Sequence, residues 1–562
     1  MNKKKILISL SIVIITLIFV FICLYINNKL TNTSNIIDTN IIIDNSDEDI
    51  DWSNYQTNNI ELKNSFTINK EGIYHITGTI DNGMIAINTD GYVKLILDNV
   101  SITNNNGPAI YITKANKTII STTENSINTL NDSTSYSNFD EDVEGAIYSK
   151  DDLVFEGDGI LNINGNKKDA VVSKDNIKFN SGTYNITSQD DGIRGKDSVY
   201  IINGIFNINS NGDAIKSTND SNSNLGYVKI LDGTFNLTTS NDGIQAESKL
   251  LIENGTFNIT SGCSSTNSSN NSGKWNNSTT TSAKGLKSGS NIVITNGTFN
   301  LDTSDDAIHS NNIILIKEGI FQILSGDDGI HADNDLTIEG GTITISKSYE
   351  GIEANNITIN NGDISIVSSD DGINAAGGND NYSTNRPGAS NTTKYTGNSK
   401  ITINNGNILV NASGDGIDAN GSIYINGGNI IVNGPTDNGN GALDYDSELI
   451  ITGGTLTAIG SSGMAQGISS NSSIYGVLIY LTNTYNSNTT ISITDNENNE
   501  ILSYTSLKSF SSIVFSSDKL QKDNSYNLYI NGNLYKTFTI NSINTTIGSN
   551  FNNMGGNRNT RR

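Results

Sequence analysis

The stretch from Ser304 to Asp333 reads S-D-D-A-I-H-S, then after Asn311-Asn312 an alternating run I-I-L-I-K-E-G-I-F-Q-I-L-S, then G-D-D-G-I-H-A-D. The pair Asp306-Ala307 returns as Asp328-Gly329, 22 residues on. A period that short has room for about three short strands and three turns, which is one rung of a solenoid.

Outward from there, the small residue of that pair recurs at Gly145, Ala170, Gly192, Ala214, Gly243, Gly285, Ala307, Gly329, Gly351, Gly372, Gly416 and Gly441, mostly at intervals of 22. Three insertions account for the long intervals: 219–227, 261–282 and 377–399. Each period runs from a small residue and an aliphatic through an outward residue and a turn to I-x-I, then to G-T-F or G-x-I, and back to Asp. Both longer runs alternate, so their aliphatics face one side and stack rung upon rung. At about 4.8 Å per rung the twelve marked rungs would be about 55 Å long. The pattern predicts an all-β chain, a right-handed parallel β-helix whose open ends need caps.

The same reading divides the chain. Residues 59–144 carry strand-length runs bounded by Gly, Asn or Asp, such as G-I-Y-H-I-T-G from Gly72, and are expected to form N-terminal rungs. Residues 145–463 are the repeat proper. From 474 to 548 runs such as V-L-I-Y-L and Y-N-L-Y-I-N-G lose the period, which predicts a small antiparallel β unit over the last rung, followed by a disordered tail at 549–562. At the other end, Lys3-Lys4-Lys5 precede an apolar run from Ile6 to Ile26 that is long enough to span a bilayer, with no small-x-small cleavage site after it. Residues 1–26 are therefore expected to be an uncleaved membrane anchor that leaves the rest exported at the cell surface. A cleaved signal, and secretion, is the alternative. Residues 27–58, rich in Asn and Asp, read as a spacer. The two cysteines, Cys23 and Cys263, offer no disulfide framework.

A net charge of −24 excludes nucleic acid as a partner and points to cations instead. The chemistry is expected in columns, because each side chain sits over its counterpart in the next rung. One column holds Asp169, Asp191, Asp213, Asp242, Lys284, Asp306, Asp328, Glu350, Asp371 and Asp415, and it is doubled by Asp190, Asp305, Asp327 and Asp370. Carboxylates stacked about 5 Å apart repel by about 3 kcal/mol per pair at an effective dielectric of 20. Calcium, a hard ion with oxygen ligands, would relieve them. The expected calcium ligands are Asp190, Asp191, Asp197, Asp213, Asp242, Asp305, Asp306, Asp327, Asp328, Asp370 and Asp371. The plainer reading is that Asp suits these turns by accepting backbone N–H bonds.

A second column, three places after the first, reads Tyr148, Val172, Arg194, Lys216, Gln245, Lys287, His309, His331, Glu353, Asn374, Asp418 and Asp444. Alternation puts it on the outer face, running from basic to acidic along the axis. Arg194, Lys216 and Lys287 are candidate contacts for an anionic chain, and Trp275 in the second insertion, with Tyr382 and Tyr395 in the third, are candidate sugar platforms. His309 and His331 fall one above the other, a weak soft-metal signal without a third ligand.

The motifs G-I-Y-H-I-T-G-T-I (Gly72 to Ile80), V-K-L-I-L-D-N-V-S-I-T (Val93 to Thr103), D-D-G-I-R-G-K-D (Asp190 to Asp197), G-D-A-I-K-S (Gly212 to Ser217) and N-D-G-I-Q-A (Asn241 to Ala246) resemble the bacterial carbohydrate-binding-domain family of exported parallel β-helix proteins. The resemblance covers about Ile60 to Ile547. It implies bound calcium and recognition of pectic or cellulosic polysaccharide, in a shape similar to family 9 pectate lyases. It implies binding and does not establish turnover. The rival readings are a calcium-dependent lyase, with Lys216 or Lys287 as base and Arg194 stabilising charge, and a purely structural surface protein or adhesin.

Overall fold

The computed structural model of the protein describes residues 37–43, 45–47, 50–267, 282–375 and 397–549. Residues 41–562 form one compact unit, and residues 1–40 a separate one of which only 37–40 are described. The expected anchor, Trp275, Tyr382 and Tyr395 lie outside the described residues. Among those described, no helix is long and apolar enough to cross a membrane.

Each rung contributes three strands, and each strand pairs in parallel with its counterpart in the next rung. In one rung these are Ile193–Gly195, Ser198–Ile201 and Ile205–Ser210, which pair with Ile215–Ser217, Tyr227–Ile230 and Thr234–Thr239 of the next. Three parallel sheets therefore run side by side along the axis, and the fold is a parallel β-helix. The first sheet is built from the strands that carry the outward column, most of them three residues long. Its register is continuous from Tyr148↔Val172 through Arg194↔Lys216 and His309↔His331 to Asp418↔Asp444.

Alternation fills the interior with columns of one residue type. Phe206, Phe235, Phe257, Phe299 and Phe321 stack with centroids 4.6–5.0 Å apart and planes within 3°. The Gly of each G-T-F turn is required by that stack. At Gly255 φ is +134°, and a Cβ there would lie 2.9 Å from the Phe257 ring and 3.1 Å from the Gly233 carbonyl. The small residues that mark the period are small for a similar reason, since a Cβ at Gly243 would lie 2.6 Å from the Gly285 carbonyl of the next rung.

The three insertions fall at corners between sheets. The first and third lie between first-sheet and second-sheet strands (Ile215–Ser217 to Tyr227–Ile230, and Ile373–Ala375 to Ser399–Ile403). The second lies between Thr256–Ser261 of the third sheet and Leu286–Ser288 of the first. At the C-terminal end, Phe510–Ser517 pairs antiparallel with the last third-sheet strand, Thr455–Gly460, and with Gly476–Tyr485, so the open edge is covered. A four-stranded antiparallel sheet of Thr490–Asp495, Glu500–Thr505, Ser525–Ile530 and Asn533–Thr539 completes this unit around its own core of Ile491, Phe510, Phe515 and Phe538.

Part of the stretch that reads as spacer packs back on the array. Tyr227 donates its hydroxyl to the Ile42 carbonyl at 2.7 Å, and buried Asp47 pairs with Lys178 at 3.0 Å. No period announces this contact because it is made by single side chains. Removing one ring from the phenylalanine stack, as Phe257→Ala, is expected to cost about 3–5 kcal/mol of stability in denaturant melts, through lost burial and the cavity left behind. A loss below about 1 kcal/mol would contradict the packing described.

Candidate functional site

Where the third sheet turns into the first, the chain leaves one backbone N–H per rung pointing along the axis, and the acidic column exists to receive it. Asp169 Oδ1 accepts from Asp191 N at 3.0 Å, Asp191 Oδ1 from Asp213 N at 2.9 Å, Asp213 Oδ1 from Asp242 N at 2.8 Å and Asp242 Oδ1 from Lys284 N at 2.8 Å. The ladder resumes from Asp306 to Asp328 at 3.0 Å, from Asp328 to Glu350 at 3.1 Å and from Asp371 to Asp415 at 2.6 Å. Lys284 has no carboxylate to offer, and Asp306 N turns to Asp305 Oδ1 at 2.9 Å instead. The turn-stabilising role of Asp is thus present at Asp169, Asp191, Asp213, Asp242, Asp306, Asp328 and Asp371 and interrupted at Lys284.

The second carboxylate oxygen faces the outward column. Asp169 Oδ2 accepts from Arg194 Nε at 2.8 Å, Asp213 Oδ2 pairs with Lys216 at 2.7 Å and Asp242 Oδ2 with Lys287 at 3.0 Å. Asp306 Oδ2 pairs with Lys284 at 2.6 Å and His309 Nδ1 at 2.9 Å, and Asp328 Oδ2 with His331 Nδ1 at 3.1 Å. The outward column is therefore folded down against the acidic one rather than standing in solvent. Burial alone would raise Asp306, but Lys284 and His309 outweigh it and hold its carboxyl below the usual range. Burial would lower Lys216, yet Asp213 and Asp191 raise it, the opposite of what a general base requires.

Beyond His331 the two columns contain no base. They read Glu350, Asp371 and Asp415 beside Glu353, Asn374, Asp418 and Asp444. Burial first, and neighbouring carboxylates second, push Glu353 to about 8 and Asp418 to about 8. Burial likewise lifts Asp371 to about 7 and Asp415 to about 6, although the Oδ1 of each also accepts a hydrogen bond from a backbone N–H, which works the other way. Carboxylate oxygens of Asp371, Asp415 and Asp418 lie within 4.8 Å of one another. Buried Asn374, the register partner of Asp418, donates Nδ2 to Glu350 Oε2 at 2.8 Å, and its Oδ1 meets no hydrogen-bond donor. Three hard oxygens and an amide carbonyl lacking a donor fit an oxygen-seeking cation such as calcium.

The expected calcium ligands thus separate. Asp191, Asp213, Asp242, Asp306 and Asp328 stand in the ladder beside a base. Asp190 lies with Asp169 and Asp191, and Asp305 and Asp327 lie with Asp306. Asp197 sits at a different corner, where it accepts from Asn219 at 2.6 Å and faces Asp175. Asp371, with Asp370 adjoining it in sequence, belongs to the end without bases. Asp415 and Asp418 were readable as column members, but only register joins them to Asp371 across 44 residues.

A further column was missed. Asn162, Asn185, Asn207, Asn236, Asn258 and Asn300, on the outer face of the third sheet, form an amide ladder, each Nδ2 donating to the preceding Oδ1 at 2.8–2.9 Å. Two shallow grooves of about 510 and 450 Å³ follow this ladder and share Asn236. Its signal is the Asn of the recurring F-N-I.

A parallel β-helix carrying acidic and amide ladders on its outside defines a class of solenoid proteins with polar outer faces. The sequence model of the family described as carbohydrate-binding domain-containing protein matches residues 63–329 and 325–372, more than half of the chain, and the chain belongs to that family. A carbohydrate-binding domain-containing protein of Acetivibrio thermocellus is 33% identical over 125 residues, 21% of this chain and 43% of its own length. The chain thus spans less than half of that relative. A solved structure described as the polysaccharide lyase-like protein from C. thermocellum, gadolinium derivative, is 29% identical, with a TM-score of 0.35 over 35% of this chain and 82% of that one.

Carboxyls whose folded pKa is raised hold protons that the unfolded chain has lost, so the folded state binds more protons between about pH 4 and pH 8. Their contribution to stability is complete below about pH 4 and is lost as pH rises through about 7 to 8. In chelator, the melting temperature is therefore expected to fall from pH 5 to pH 8, and calcium is expected to restore it at pH 8. A flat profile in chelator would contradict the burial of these groups.

Proposed function

We propose that this protein is a non-catalytic polysaccharide-binding protein, exported and held at the cell surface by its N-terminal apolar run, that takes pectic polysaccharide through calcium. The observation that carries this reading is the oxygen-only group Asp371, Asp415 and Asp418, with Asn374 beside it. Calcium bound there would neutralise the carboxylates and offer its remaining coordination positions to uronate groups. Membership of the carbohydrate-binding family supports a glycan as the partner. The lyase alternative loses support because Lys216 and Lys287 each pair with an Asp of the ladder.

A second reading, for cellulosic chains, is favoured by the amide ladder. Each ladder amide spends one N–H and one lone pair on its neighbours, which leaves one donor and one acceptor facing outward per rung. That uncharged, periodic row suits the hydroxyls of a neutral glycan lying along the axis.

Retention of the full chain on polygalacturonate and on cellulose, with calcium or chelator, tests both. Calcium-dependent retention on polygalacturonate is expected to disappear in Asp371→Asn/Asp418→Asn while cellulose retention persists; Asn236→Ala/Asn258→Ala should do the reverse. Retention indifferent to calcium and to both double variants would overturn the assignment, and rising absorbance from unsaturated ends would establish the lyase instead.

A further inference from the structure

Between the rungs neutralised by Lys and Arg and the rungs that hold only acids stand two histidines. His309 and His331 pair in register, with rings 4.9 Å apart. In sequence they lack a third ligand, and the fold supplies it. His331 Nδ1 lies 3.1 Å from Asp328 Oδ2 and 3.2 Å from Oε2 of Glu353, its register partner in the next rung. Asp328, His331 and Glu353 bring one ligand atom each within 4.8 Å of one another, as do Asp306, His309 and His331. Asp306, Asp328 and both histidines are buried, and Glu353, 15% exposed along its side chain, forms the edge toward solvent.

Charge and spacing point the same way. His331 faces Asp328, Glu353 and, at 3.5 Å from Nε2, Asp333, so one imidazolium confronts three carboxylates, where Arg194, Lys216 and Lys287 place a full cation in their own rungs. A divalent ion supplies the charge that a single proton does not. Bonds of about 2.0–2.1 Å to nitrogen and oxygen give tetrahedral ligand-to-ligand edges of about 3.3–3.4 Å, which the separations of 3.1 and 3.2 Å around His331 Nδ1 approach to within a few tenths of an ångström. Calcium and magnesium favour all-oxygen shells, whereas an imidazole among carboxylates selects a first-row transition ion.

We propose that Asp328, His331 and Glu353 bind one divalent ion of the zinc class, with Asp306 and His309 packed behind them in the preceding rung. The site is separate from the oxygen-only group of the following rungs, and it stands whether or not calcium binds there.

The test titrates zinc into the chelator-stripped full chain in excess calcium while the imidazole resonances are followed by NMR. The chain has only three histidines, and His75, beside Asp98 on the N-terminal rungs, is the internal control. One equivalent of zinc is expected to shift the His331 and His309 signals and leave His75 in place. Glu353→Gln should weaken zinc at least tenfold, and His331→Gln more. Equal movement of all three imidazoles, no movement at stoichiometric zinc, reversal by calcium, or unchanged affinity in Glu353→Gln would each overturn the site. The wild-type titration and Glu353→Gln decide the matter even if His331→Gln fails to fold.

Discussion

Parallel stacking in register makes every side chain face a copy of its own position one rung away, about 4.8 Å distant. Each residue type meets that constraint differently. Phenylalanine gains from it, since aligned rings bury one another and exclude water. Asparagine gains too, because a primary amide is its own complement, and donor meets acceptor up the column. Aspartate loses, because like charges are driven together. The outer surface of this molecule is arranged by how that loss is offset.

Three devices offset it in succession. The first carboxylate oxygen of each Asp accepts the axial N–H of the next rung, which favours the ionised form. Through the middle of the array a cation from the outward column meets the second oxygen. Past His331 the outward column turns acidic, and protonation or a bound cation must do what Lys and Arg did before. The same geometry thus yields a stretch neutralised by cations and a stretch of acids without them, differing in what the outward column carries.

The period, the three strands per rung and the members of both outer columns could be read directly, because a 22-residue repeat with alternating aliphatics admits few other folds. Burial of the outward column could not. Alternation says that Lys216 points away from the core, but the corner that lays Asp213 against it is a property of the turn. Nor could the partner be read from spacing alone, since Arg194 reaches back to Asp169 of the preceding rung while Lys216 pairs most closely with Asp213 of its own. Asp371 and Asp418 are separated by the third insertion and meet only through register. The Asn of F-N-I recurs as regularly as the Phe, yet hydropathy draws attention to the Phe.

If the half-buried carboxyls at the end without bases hold protons that a hard cation displaces, adding that cation must release them. Potentiometric measurement of protons released when calcium is added to the chelator-treated protein at pH 6.5 tests it most directly. With Asp371 raised to about 7 and Asp418 to about 8, release of at least one proton per chain is expected, falling toward zero in Asp371→Asn/Asp418→Asn. Calcium binding without proton release, or release unchanged in that variant, would contradict the account.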